Sequence, residues 1–396
     1  MIGQRLKQLR LVRGLTLEAL SAEIGGMVTK QALSKYERDR AKPSARVLNK
    51  LAAALGVKAA YLLSEPRTRI EFVAYRKGSG LPKKEQAKVE SFVREAFEER
   101  LWLQELMLQD PTQEPDGSAL PVQRLKVERL EDAEQAARRV RAEWNIGTDP
   151  IASMSGLLED HFVHVIEIEA NEKFDGISAV AYGDDMRVVA AAVVSRRSVA
   201  GDRQRLNLGH ELGHLVLDVS PSVDEEKAAF RFGTALLTPA ETLYREIGAK
   251  RAYLQLEELM LLKQRFGISI QALLHRLHDL EIITDSHYVQ WCKDISRLGW
   301  KRVEPLPMPS EQPRWLRRSV LRALSEGLVT VEEASRVLGE QLDMKAPISL
   351  VEKRAFAKLP VEERRRILAE QADKMAASYG KDLKWRELQG GDIFEF

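Results

Sequence analysis

Residues 203–218 read RQRLNLGHELGHLVLD. Residues four apart on a helix share a face, so His210 and His214 can bind one metal ion. Glu211, beside the first of them, can reach a water at that ion as a general base. Two imidazoles, a third protein ligand and an open position make a catalytic zinc site, in which the pKa of water drops to about 7. Leu206, Leu208, Leu212, Leu215 and Val216 give the same helix an apolar side that pins it into a core. The pattern is short, so the plain alternative is a buried helix with two incidental histidines.

The third ligand must come from elsewhere. Pro221 is expected to end the helix, and Asp224-Glu225-Glu226 begins the next, which reads EKAAFRFGTALLTP at 226–239. Three- and four-residue spacing puts Glu226, Ala229, Phe230 and Gly233 on the inward face, with Glu225 about 100° away. An acid on an apolar stripe is costly unless paired or metal-bound, so Glu226 is the expected ligand and Glu225 the fallback.

Upstream, FDGISAVAYGDDMRVVAAAVVSR at 174–196 reads as strands. These three stretches together resemble the ImmA/IrrE-type metallopeptidase family over roughly residues 120–290. The resemblance implies a zincin-like domain with a small sheet and a Zn²⁺ cofactor held by His210, His214 and Glu226. It further implies Glu211 as the catalytic residue and a zinc-dependent metalloendopeptidase acting on a regulatory protein. Two positions depart from the family. Asp218 stands where a histidine is frequent, removing a potential donor behind the metal, and Phe230 replaces a usual Asn. Tyr182, Arg203 and Tyr244 are candidates for stabilising an oxyanion. His161 and His164 on an expected strand, and His275 and His278 on a helix, read as structural or surface residues.

The first 63 residues hold twelve Lys or Arg and four Asp or Glu, although the whole chain of 396 has a net charge of only +2. A basic module of this kind suits a phosphate backbone. It divides into short helices: Ile2, Leu6 and Leu9 mark one, and Thr16, Thr29 and Ser44 can each cap another. Two short helices joined through Gly25-Gly26 make a helix-turn-helix. Residues 3–57, GQRLKQLRLVRGLTLEALSAEIGGMVTKQALSKYERDRAKPSARVLNKLAAALGV, resemble the Cro/repressor-like XRE family. That resemblance implies double-stranded operator DNA as partner, a homodimer, and a third helix in the major groove presenting Thr29, Lys30, Gln31, Ser34 and Lys35. Gln31 is suited to adenine, and Lys30 or Lys35 to guanine or phosphate. The family often carries a polar Gln where this chain has Leu17-Glu18. The plain alternative is a helical protein-binding module with a solvated basic face.

The remainder is less specific. Lys83–Leu108 has a helical pattern with Val93, Phe97, Leu101 and Leu108 on one face, interrupted by Gln104 and Glu105. QDPTQEPDGSALP at 109–121 is the strongest linker signal, and EPLPMPSEQP at 304–313 reads as a second break. Beyond it, Trp315–Asp343 reads as a helical hairpin. The last stretch, 353–396, resembles the C-terminal part of small antitoxins that wrap PIN-domain toxins, through LPVEERRRILAEQA, Trp385-Arg386-Glu387-Leu388 and Gly391-Asp392-Ile393. It implies a toxin-binding tail anchored by Trp385, Leu388, Ile393 and Phe394.

The expected architecture is therefore mainly α with a small β-sheet. It comprises a five-helix DNA-binding domain (1–65), a connector (66–119), a zinc domain (120–290), a helical hairpin region (291–352) and the tail (353–396). The single cysteine, Cys292, rules out an intrachain disulfide and a cysteine-built zinc site. The longest aliphatic run, Val188–Val194, is far short of the ~20 apolar residues that span a bilayer, so no membrane partner and a cytoplasmic location are expected. The sequence suits either an antitoxin-type autorepressor or a regulator that cleaves a repressor or other protein.

Overall fold

The fold is that of a computed structural model, which describes residues 2–13, 15–55, 57, 59–63, 68–73, 83–107, 124–170, 174, 176–183, 186–342, 356 and 359–369. It is mainly helical with a small sheet, and it divides into two compact units, 1–330 and 331–396.

The N-terminal helices are α1 (Ile2–Val12), α2 (Leu17–Glu23), α3 (Lys30–Glu37), α4 (Ala45–Ala54) and α5 (Ala59–Leu63). Thr16, Thr29 and Ser44 each accept a backbone N–H from the first turn of the helix they precede. Leu6, Leu9, Leu20, Leu33, Leu51, Leu55 and Leu62 close a core of their own. Within it Arg10 forks onto Glu37 at 2.6 and 2.9 Å and donates to the Leu15 carbonyl, tying α1 to α3.

Next come β1 (Arg69–Phe72), α6 (Lys83–Met107), β2 (Leu125–Val127), α7 (Asp132–Glu143), α8 (Met154–Asp160), β3 (Val163–Ile168), β4 (Ile177–Tyr182) and β5 (Val188–Arg196). One sheet has the order β1-β4-β5-β3, with β3 parallel to β5 and the other pairs antiparallel. Alternation gives the sheet two apolar faces. Ile166, Ile177, Ala179, Ala192 and Val194 face Val93, Phe97 and Leu101 of α6. Val163, Val165, Val180, Ala191 and Val193 join the main core on the other side. The stretch expected as a connector thus supplies an outer strand and a covering helix, and α6 also packs on α1. Gln104 interrupts the apolar pattern because it is buried with polar partners. It bonds His164 Nε2 at 3.0 Å and donates to the Val189 carbonyl. His161 lies off the strand, as the C-cap of α8, stacked on Trp144.

α9 (Gly201–Val216) lies against the second face and is followed by β6 (Leu217–Val219), α10 (Glu225–Leu237), α11 (Ala240–Ile247), α12 (Leu256–Phe266), α13 (Ile270–Asp279), α14 (Asp285–Arg297) and α15 (Trp315–Ser325). α9 stops before Pro221, because Leu217–Val219 leaves the helix to pair in parallel with β2. The segment expected as a break, 304–313, is instead a clasp. Glu304 accepts the backbone N–H groups of Ile270 and Gln271 at the start of α13 and meets Lys263 at 2.8 Å. Glu311 accepts those of Met154 and Ser155 at the start of α8 and pairs with Arg205 of α9. The Met308 carbonyl accepts the Gly201 N–H at 2.9 Å.

The second unit contains α16 (Val331–Leu338) and a helical stretch at 361–369 on which Val361 and Leu368 are more than half exposed.

Candidate functional site

His210 and His214 lie one turn apart on α9, with their Nε2 atoms 3.1 Å from each other. α10 crosses this helix at backbone range. A Cβ on Gly233 would stand 2.9 Å from the His210 backbone nitrogen, and one on Gly213 would stand 3.0 Å from Ala229 Cα. Only glycine leaves room for that crossing, and the crossing carries the first turn of α10 over the histidine pair. Asp224 caps α10 by accepting the Lys227 N–H.

Glu226 Oε2 then lies 3.2 Å from His210 Nε2, and its Oε1 lies 3.7 Å from His214 Nε2. Zinc bonds of about 2.0–2.2 Å set tetrahedral ligands roughly 3.3–3.6 Å apart. The observed separations of 3.1, 3.2 and 3.7 Å fall just outside that range, within about 0.2 Å, a gap that small side-chain shifts close, so these three side chains fit zinc. Among the described residues His210, His214 and Glu226 form a group that could hold a metal ion.

Glu225 lies behind the ligand side, with Oε1 3.5 Å from His214 Nδ1. A carboxylate there favours the tautomer with hydrogen on Nδ1 and leaves Nε2 for a metal. Burial holds the His214 pKa below the ordinary imidazole value, and His210 beside it pushes the same way. The neutral imidazole that this favours is the form that can ligate a metal.

The inward face of α10 differs from its expected stripe. Ala228, Ala229, Phe232 and Leu236 fill the core, Phe230 is half-buried, and the Glu226 side chain is 56% exposed. Glu226 meets the histidines because it stands at the open end of the helix crossing, outside the apolar stripe.

Glu211 turns toward the sheet and is buried. The Ser178 hydroxyl on β4 donates to Glu211 Oε2 at 2.5 Å and approaches the Glu211 carbonyl oxygen at 2.9 Å. Gly176 makes room, since a Cβ there would stand 2.2 Å from Glu211 Oε1. Sequence reasoning missed Gly176 and Ser178; a lone serine in an apolar strand was the available signal. It also passed over Gly209-x-x-x-Gly213, a small-residue spacing that marks a close helix crossing.

The other candidates lie elsewhere. Arg203 donates to the Lys301 carbonyl and Tyr244 to the Leu280 carbonyl. Tyr182 pairs with Arg69 at the end of β4 away from Ser178. Asp218 is exposed and stands opposite Lys126. His275 and His278 meet Asp279 and Asp285.

In the N-terminal helices, Thr29, Lys30, Gln31 and Lys35 are exposed and Ser34 is half-buried. Thr29 also caps α3, through its side-chain oxygen and Ala32 N–H. Lys30 Nζ lies 2.8 Å from Glu18 Oε1 on α2. That contact raises the lysine pKa and lowers that of the glutamate, through hydrogen bonding first. Trp385, Leu388, Ile393 and Phe394 lie outside the described residues.

Residues 6–62 match the family described as Helix-turn-helix, and residues 190–278 match the family described as IrrE N-terminal-like domain. Neither match reaches 353–396. No curated protein and no solved structure matches the chain. The chain thus joins a segment similar to helix-turn-helix domains to one similar to the IrrE N-terminal-like metallopeptidase domain.

Proposed function

We propose that this protein is a DNA-binding transcriptional regulator whose zinc domain hydrolyses a peptide bond in a protein partner. The observation that carries this reading is the convergence of His210, His214 and Glu226 at ligand spacing beside a buried carboxylate held by Ser178. A zinc ion in this donor set supplies Lewis acidity that brings the pKa of a water to about 7. Glu211 takes the proton of the attacking water and passes it to the leaving amide nitrogen. Ser178 holds that carboxylate in place, and Glu225 keeps the His214 ring in the ligating tautomer.

The DNA-binding half follows from the exposed face of α3 and the basic charge around it. Thr29, Lys30, Gln31, Ser34 and Lys35 would enter the major groove of operator DNA, a homodimer reading two half-sites. The proposed location is the cytoplasm; no described helix is long and apolar enough to cross a membrane.

Replacing Glu211 by Gln tests the hydrolytic step. Zinc content should stay at one equivalent while cleavage of casein or of a captured partner stops. Unchanged cleavage in the Glu211→Gln protein would overturn the assignment.

A second reading, an antitoxin-type autorepressor whose tail neutralises a PIN-domain ribonuclease, draws on the helix at 361–369 and its exposed Val361 and Leu368. Truncation before Lys353 should then abolish capture of a small nuclease, with Glu211→Gln leaving capture intact. Equal capture by both forms removes this reading.

A further inference from the structure

β4 is the strand that holds Glu211, and its outer edge is already taken. Arg69–Phe72 runs antiparallel to it, with Phe72 opposite Ala179 and Arg69 opposite Tyr182. Val73 continues the pairing, donating its N–H to the Ser178 carbonyl at 2.8 Å. Ser178 is the residue whose hydroxyl holds the Glu211 carboxylate. The segment on this edge comes from between α5 and α6, whereas β4 and β5 form a hairpin of their own. Ile70 and Phe72 pack under α6, and Val73 packs on the opposite side, with the core that contains Leu208 and Leu212 of α9.

An outer strand recognises an extended peptide through its backbone N–H and C=O groups, with alternate side chains reaching pockets on the two faces. Without β1, the groups of Ser178, Val180 and Tyr182 would offer such an edge within one side chain of Glu211. β1 is four residues long, with only Ile70 buried, and short outer elements with few buried side chains belong to the parts of a fold that open first.

We infer that the outer edge of β4 is the docking edge for an extended peptide, and that Arg69–Val73 is its resident occupant, which a partner peptide displaces to reach Glu211. The inference rests on the peptidase reading for what happens after docking. The occupant defines the partner's chemistry: an extended stretch with β-branched or aromatic residues at alternate positions, as in Ile70 and Phe72. The edge is open to a partner only while the occupant is undocked, and affinity falls by that fraction.

A reversible lock tests this in the full-length chain. Phe72 and Ala179 are a non-hydrogen-bonded pair, whose Cα spacing of about 4.5 Å suits a disulfide. The variant Phe72→Cys/Ala179→Cys, with Cys292→Ser, is compared oxidised and reduced. The probe is a fluorescein-labelled peptide with the sequence of residues 68–73, TRIEFV, followed by anisotropy. Oxidation should weaken binding about tenfold or more, and Val73→Pro, which removes the N–H bonded to Ser178, should strengthen it about tenfold over the parent. If Val73→Pro does not fold, the oxidised and reduced forms of the lock decide alone. Equal affinity in oxidised and reduced forms overturns the inference, even if casein is cut. Affinity that follows the lock while casein stays uncut keeps the docking edge and overturns hydrolysis.

Discussion

The Ser178 hydroxyl is 2.5 Å from Oε2 of Glu211 and 2.9 Å from the carbonyl oxygen of the same residue. The serine thus ties strand β4 to Glu211, in the turn of α9 that carries His210 and His214. A short bond to a buried carboxylate is among the stronger ones a side chain can make. Ser178→Ala should leave zinc stoichiometry unchanged and slow cleavage about 10- to 100-fold, the usual effect of losing a group that orients a site. Metal analysis and a casein assay on the same sample check this. A full rate with Ser178→Ala would show that Glu211 needs no such support.

The two acids at the head of α10 should separate cleanly. Glu226 faces both Nε2 atoms, while Glu225 Oε1 faces Nδ1 of His214. Glu226→Gln should weaken zinc affinity by about 100-fold or more, since it removes a ligand. Glu225→Gln should weaken it by about 10-fold, through the orientation of His214. Competition with a zinc indicator gives both values, and the reverse order would move the third ligand to Glu225.

Gly233 should resist a substitution that helix propensity favours. Alanine in a helix is better than glycine by about 1 kcal/mol. Here its Cβ would stand 2.9 Å from the His210 backbone nitrogen, with the Gly209 carbonyl carbon at 3.0 Å. That peptide unit of α9 cannot give way as a flexible side chain does. Gly233→Ala should therefore destabilise by about 1–3 kcal/mol and also lower zinc affinity, because α10 carries Glu226 away from the histidines. Thermal unfolding with and without zinc measures both.

Glu311 should make stability fall in acid. Burial alone would raise its pKa, but the N–H groups of Ser155 and Met154 and the Arg205 guanidinium outweigh that and hold it below the ordinary 4.5. The unfolded chain then binds this proton more readily than the folded one, so stability rises with pH through that range. The contribution is complete above the ordinary value of 4.5 and is lost as pH falls through the lower folded value. Glu311→Gln should cost about 3 kcal/mol at neutral pH and flatten the acid limb. Urea midpoints over a pH series decide it.

The face of α3 makes two different predictions for DNA. Gln31→Ala should cost about 1–3 kcal/mol at one base pair and relax specificity there. Lys35→Ala, if Lys35 meets phosphate, should weaken all sequences alike and reduce the salt slope by about 1. Titrations at several salt concentrations, on matched and scrambled duplexes, distinguish them.

The sequence by itself determined the local parts of this protein. The caps Thr16, Thr29 and Ser44, the exposed face of α3 and the placement of His210 and His214 one turn apart are all set within a few residues. Helix geometry and capping chemistry operate at that range, so the pattern is readable without the fold. The close approach of α9 and α10, the hold of Ser178 on Glu211, the pairing of Arg69–Phe72 with β4 and the clasp through Glu304 and Glu311 were decided only by tertiary structure. Each joins residues tens of positions apart or more, or depends on the missing volume of a glycine. The spacing of Gly209 and Gly213 marks a close crossing but names no partner helix, and the long-range contacts leave no periodic trace in the chain. The same contrast explains Glu226. Its spacing suggested an inward acid, but the crossing of two glycine-lined helices is what places it, largely exposed, at the open side of the histidine pair.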